Sequence, residues 1–127
     1  MPDELYQRGM TARRKVLGDD YVDRATANAD DFTRDLQRMI TEFAWGGVWS
    51  REGLSLKQRS LNNLCMLAAL NRPHELEIHL HGALNNGCTP EEIRETLLQV
   101  AIYAGFPAAV DAFRVARRVL TEEEVLP

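Results

Sequence analysis

One stretch constrains this chain more than any other: Glu75 to Gly87, ELEIHLHGALNNG, with Asn71 and Pro73 just before it. Proline is tolerated in a helix only in its first turn, and glycine takes the left-handed conformation that closes one. Pro73 and Gly87 therefore bracket a helix, with Asn71 as the expected N-cap. Leu76, Leu80 and Leu84 fall on one apolar face, and Glu75 and His79, four residues apart, share a neighbouring face. An imidazole beside a carboxylate at the edge of an apolar surface can do acid–base work. The spacing by itself fits a partly exposed pair with no catalytic role better, because such pairs are common on helices.

The same punctuation recurs along the chain. Pro2, Asp3 and Glu4 start a helix that carries Arg13, Arg14 and Lys15 near its end, complementing the helix dipole, and Gly18 stops it. Asp20 to Asn28 reads as a short second helix. From Asp31 onward, Phe32, Leu36, Met39, Ile40, Phe43 and Ala44 recur at helical spacing. Gly46-Gly47 is expected to end that helix in an AWGGVW turn holding both tryptophans, Trp45 and Trp49. Ser55 and Gln58 form a capping box ahead of a helix that runs to about Leu70 and is apolar on nearly every side after Asn63. Thr89, Pro90 and Glu92 open another, striped by Ile93, Leu97, Val100, Ala101 and Ala104 and ended by Gly105. Pro107 opens the last, with Val110, Phe113 and Leu120 as its buried side; Glu122, Glu123 and Glu124 begin a frayed tail. No run alternates as a strand would. The expectation is an all-α fold of about seven helices in one domain spanning 1–127.

A helix with no polar face has to be buried all round, and a chain of 127 residues has trouble doing that alone. A homo-oligomer, with that helix at a subunit interface, answers the problem. The net charge of -4 argues against nucleic acid as a partner, which calls for a basic face. The longest apolar run, Met66 to Leu70, is too short to cross a membrane, and Met1 to Lys15 is too polar for a signal peptide. Cys65 and Cys88 form no close pair, which fits a reduced, cytoplasmic protein. His74, His79 and His81 show no distinctive ligand spacing, so no metal is expected.

The order of motifs resembles the carboxymuconolactone decarboxylase family. The matching stretches are AWGGVW at 44–49, RSLNNLCMLAAL at 59–70, HLHGALNNGCTPEEIRETLLQVAIYAGFPAAVDAF at 79–113 and, more loosely, GMTARRKVLGDDYVDRA at 9–25. The resemblance implies an alkylhydroperoxidase-like helical bundle assembled as a trimer or hexamer. It also implies a cofactor-free decarboxylase of 4-carboxymuconolactone in the protocatechuate branch of the β-ketoadipate pathway. Peroxidase cousins carry a Cys-x-x-Cys four residues before the corresponding histidine. Here those positions are Arg72 and Glu75, so both thiols are missing. His81 stands where relatives often have arginine. The rival readings are another enzyme of this fold acting on a related small acid or redox substrate, and a non-catalytic ligand-binding oligomer.

Such a substrate, a small lactone carboxylate, needs its carboxylates held, an oxyanion stabilised and a proton returned to carbon. The resemblance points to His79 for the proton, with Glu75 orienting it and favouring its charged form. Arg59 suits a carboxylate, as guanidinium offers paired planar donors, and His81 is a second candidate. Arg51 and Arg72 read as solvated surface charges. Trp45 and Trp49 either wall the pocket around a flat ring or pack in a core or interface. Cys65 reads as a small buried apolar residue rather than a nucleophile.

Overall fold

The computed structural model describes residues 2–127, which form seven α-helices and one π-helix with no strand among them. The all-α expectation holds. The chain folds as two compact units divided between Leu56 and Lys57.

In the first unit, α1 (Pro2–Leu17) is closed by Gly18 at φ 89°, as its sequence requires. After α2 (Asp19–Asn28) and α3 (Arg34–Met39), the chain departs from expectation. Gly46-Gly47 does not end a helix. The backbone runs straight through both glycines as a π-helix, Ile40–Trp49, whose last bond has Ser50 N–H donating to the Trp45 carbonyl five residues back. The glycines are there for proximity rather than for a turn. A Cβ on Gly46 would lie 2.4 Å from the Leu5 carbonyl oxygen, and one on Gly9 would lie 1.9 Å from that of Thr41. These two positions let α1 and the π-helix pack backbone against backbone. One turn on from Gly9, the buried Arg13 spans the same contact, donating to Thr41 Oγ1 at 3.2 Å and Gln37 Oε1 at 3.1 Å. The apolar series Phe32, Leu36, Met39 and Phe43 stays exposed.

The second unit holds α4 (Leu56–Ala69), α5 (Pro73–Asn85), α6 (Pro90–Ala104) and α7 (Phe106–Glu122). Leu64, Leu76, Leu80, Ile93, Leu97 and Val119 make its core, each at most 2 % exposed. Asn71 is not the cap of α5. It sits at φ 57° and closes α4, with its N–H on the Ala68 carbonyl and the Arg72 N–H reaching back to Leu67. Asparagine tolerates the left-handed region better than most side chains, so it serves the helix before it. Gly87 ends α5 by the same paired bonds, to Leu84 and Ala83, and the Thr89–Glu92 capping box is fully formed.

Two further expectations change. Only Leu64 and Ala68 of the apolar α4 segment are buried, while Met66 and Leu70 are more than half exposed. The buried side of α7 is Ala109, Ala112, Ala116, Val119 and Leu120, with Val110 largely outside. Small alanines let α7 approach its neighbours closely, and Val110 is about half exposed beside them. The tail does not fray. Glu124 at φ 61° closes α7, Val125 N–H bonds to the Leu120 carbonyl, and Leu126 packs on the core.

Gly46→Ala and Gly9→Ala should each lower stability toward the upper end of about 1–3 kcal/mol, because the new methyl meets backbone that cannot swing aside. Gly47→Ala, whose Cβ would have only an ordinary 3.8 Å contact, should be near neutral or better. Urea unfolding midpoints of the three variants check this; equal effects at Gly46 and Gly47 would show that close packing is not what selects glycine.

Candidate active site around His79

α5 places His79 and α4 holds it. Leu76 and Leu80 drive one face of α5 into the core, leaving His79 on the flank of that face, partly exposed at most. Across from it, Asn63 Nδ2 on α4 lies 3.3 Å from His79 Nδ1. An amide N–H can only donate, so with the Asn63 amide in this orientation Nδ1 accepts. A second bond fixes the register: Asn86 Nδ2, just past the end of α5, donates to the fully buried Ser60 Oγ at 2.8 Å. Contacts between 63 and 79 and between 60 and 86 require α4 and α5 to run antiparallel. Arg59 lies one turn before Asn63, on the side of α4 that carries it, and is partly buried.

Burial pushes the His79 imidazole down to about 4, since desolvation disfavours the charged ring. This corrects the expectation for Glu75. That residue is exposed, and desolvation rather than a neighbouring charge governs the ionisation of His79. His79 is therefore a neutral imidazole at neutral pH.

The remaining candidates have neighbours of their own. His81 is two residues from His79 and so points to a different side of α5. Its Nδ1 sits 3.0 Å from Glu123 Oε1 beyond the end of α7, and one turn away Glu77 pairs with Arg118. His81 is thus engaged in joining α5 to α7, apart from His79. Trp45 and Trp49 belong to the first unit. Their rings stack with centroids 4.6 Å apart and an interplanar angle of 28°, buried against Val16. Trp49 also edges a cleft of about 730 Å³ with Arg8, Lys15 and Arg51 on its walls. Burial raises the Cys65 thiol and pushes Cys88 up to about 11, so both stay protonated and poor as nucleophiles. Among the described residues no group of three or more His, Cys, Asp or Glu is placed to hold a metal ion.

Asn63 escaped the sequence reading. The usable signal was its position one turn after Arg59, as the last polar residue before seven apolar ones.

Residues 34–118 match the carboxymuconolactone decarboxylase family. The chain is 41 % identical over 125 residues to the 4-carboxymuconolactone decarboxylase of Acinetobacter baylyi, covering 98 % of this chain and 93 % of that protein. It is 44 % identical over 124 residues to the nitrosuccinic acid decarboxylase of Metarhizium robertsii, covering 94 % and 87 %. A 43-residue match to the 4-carboxymuconolactone decarboxylase of Pseudomonas putida is 49 % identical and covers 34 % and 90 %.

A histidine depressed from 6.5 to about 4 makes stability depend on pH in one direction. Between those values the unfolded chain binds a proton that the folded chain refuses, so stability falls as pH drops from about 6.5 toward 4, with no further loss below. The whole effect is on the order of 3 kcal/mol. Urea midpoints between pH 4 and 7 should decline for the wild type and decline less for His79→Gln. Identical slopes would place the titrating group elsewhere.

Proposed function

The chain belongs to the carboxymuconolactone decarboxylase family, and we propose that it is a carboxy-lyase converting 4-carboxymuconolactone to β-ketoadipate enol-lactone in protocatechuate catabolism. The observation that carries this reading is His79: a shielded, neutral imidazole held by Asn63, one turn from Arg59, in a chain that matches a named decarboxylase over nearly its whole length.

In the reaction, the bond between the ring carbon and its carboxylate breaks and carbon dioxide leaves. The electron pair runs through the ring double bond into the lactone carbonyl, and a proton then adds to the carbon beside that carbonyl. The substrate is its own electron sink, so no cofactor has to supply one. Nitrosuccinic acid, named for the Metarhizium relative, shares the essential pattern: one carbon bears a carboxylate, a CH₂-carboxylate arm and an electron-withdrawing group. It supports a second reading, a related acid with the same sink-bearing succinate core.

Arg59 holds a carboxylate and His79 moves the proton. An anion brought within about 4–6 Å of an imidazole typically raises its pKa by one to three units. Starting from about 4, that shift brings His79 toward the working pH, where a general acid is most effective. The charged acid is thus made by the arrival of the substrate. Glu75, exposed one turn away, can tune this but does not set it.

The exposed apolar residues support a homo-oligomer, a trimer or hexamer. Met66, Leu70, Ile102, Tyr103 and Phe106 in the second unit and Phe32 in the first are each more than half exposed, apolar surface of the kind an interface between copies would cover.

His79→Ala should cut carbon dioxide release from 4-carboxymuconolactone by ~10² or more while the fold, followed by circular dichroism, is retained. Arg59→Ala should raise KM more than it lowers kcat. Titrating wild type with a non-reactive dicarboxylate analogue in buffers of different ionisation enthalpy should reveal proton uptake, absent in His79→Ala. Near-full turnover in His79→Ala on both lactone and nitrosuccinate would move the acid to another residue.

A further inference from the structure

The second unit has a concavity apart from His79, Asn63 and Arg59. Between α6 and α7 lies a groove of about 560 Å³, within the range of small-molecule sites. Its floor is aliphatic and belongs to the core: Ile93, Leu97, Ala116 and Leu120, with Leu126 folding back from the tail to wall one side. Its rim carries Arg94, Arg114 and Arg117 against a single carboxylate, Glu91. In a chain of net charge -4, three guanidinium groups around one apolar hollow are a local reversal.

The arginines are not equally occupied. Arg114 pairs with Asp111 at 2.8 Å and Arg94 with Glu95 at 3.4 Å, each a neighbour on its own helix and outside the groove lining. Arg117 has no ion pair among the described residues. By contrast Arg118, one position on and turned to α5, is satisfied by Glu77. Arg117 and Phe113 are one helical turn apart and both line the groove, so a ligand lying on Phe113 brings its head to an open planar donor.

We propose that this groove is a binding site for a free medium-chain fatty carboxylate, its alkyl chain on Ile93, Leu97 and Leu120 and its carboxylate on Arg117. The aliphatic floor, with Phe113 as its one aromatic residue, fits a flexible alkyl chain better than a flat ring. The charge pattern selects an anion over an alcohol or an ammonium of the same length. It also disfavours a second copy laid groove to groove across a twofold axis, because that would bring six guanidinium groups together. The site stands independently of the reading of His79, which lies outside the groove lining.

Calorimetric titration of the intact chain with sodium decanoate below its micelle concentration tests the site, with decanol and decyltrimethylammonium as chain-matched comparators. Decanoate should bind once per chain and at least about tenfold more tightly than either comparator, the size expected for a hydrogen bond to a charged group. Arg117→Glu, at an exposed position, should weaken decanoate about tenfold or more without altering turnover, and Arg117→Gln should lie between. Val110→Trp should block the groove. Decanol binding as tightly as decanoate, or decanoate indifferent to Arg117→Glu, would overturn the proposal. So would anionic vesicles binding the protein where free decanoate does not. Light scattering separates the last alternative: dissociation of the assembly by Arg117→Glu, with no decanoate bound by wild type, would assign the groove to a second copy.

Discussion

The antiparallel pairing of α4 with α5 is the contact on which the site depends. Buried polar groups are costly unless they are bonded. Ser60, fully buried, meets that requirement through Asn86, and the largely shielded His79 finds a partner in Asn63. With the apolar cluster that includes Leu64, Leu76 and Leu80, the two bonds admit one register. A slip of one residue would turn His79 about 100° around its helix. The place of the imidazole and its low pKa are therefore both consequences of packing. The same seam that shields the ring from water keeps it neutral.

The first unit solves a different packing problem with small residues. Its π-helix lengthens the hydrogen-bonded backbone loop by one residue, Trp45 and Trp49 stack four residues apart on it, and glycine at 9 and 46 lets α1 close on it. Arg13 sits on that seam, bonded to Thr41 and Gln37 rather than to a carboxylate. These bonds tie α1 to the junction of α3 with the π-helix in a way an apolar residue could not.

A neutral, shielded histidine suits a decarboxylase whose substrate supplies both charge and electron sink. A permanent imidazolium would attract any anion. One that forms only when a dicarboxylate arrives couples proton loading to binding. The two decarboxylases that this chain resembles over nearly its full length are named for a lactone and for a nitro acid. What those compounds share is the carbon that loses carbon dioxide, not the ring. On the proposed reading, one arginine and one tunable histidine would serve either acid, which fits sequence similarity to both.

Local signals carried the parts of this structure that depend on a few adjacent residues. Gly18, Gly87 and Gly105 end helices, and Thr89 with Glu92 caps one, because those preferences are written in backbone conformations and bonds spanning four residues. The all-α class and the helix bearing His79 followed from the same periodicity. What the sequence could not decide was which partner each residue meets across the chain. Gly46 reads as a breaker until Leu5 is seen against it, and Asn71 reads as a cap for the helix after it until its bonds to the helix before it are seen. Glu75 is adjacent to His79 on the helix, yet burial by the surrounding fold governs the ring and Asn63, sixteen residues away, holds it. Desolvation and close approach are properties of what surrounds a residue in space, and only the tertiary structure supplies those surroundings.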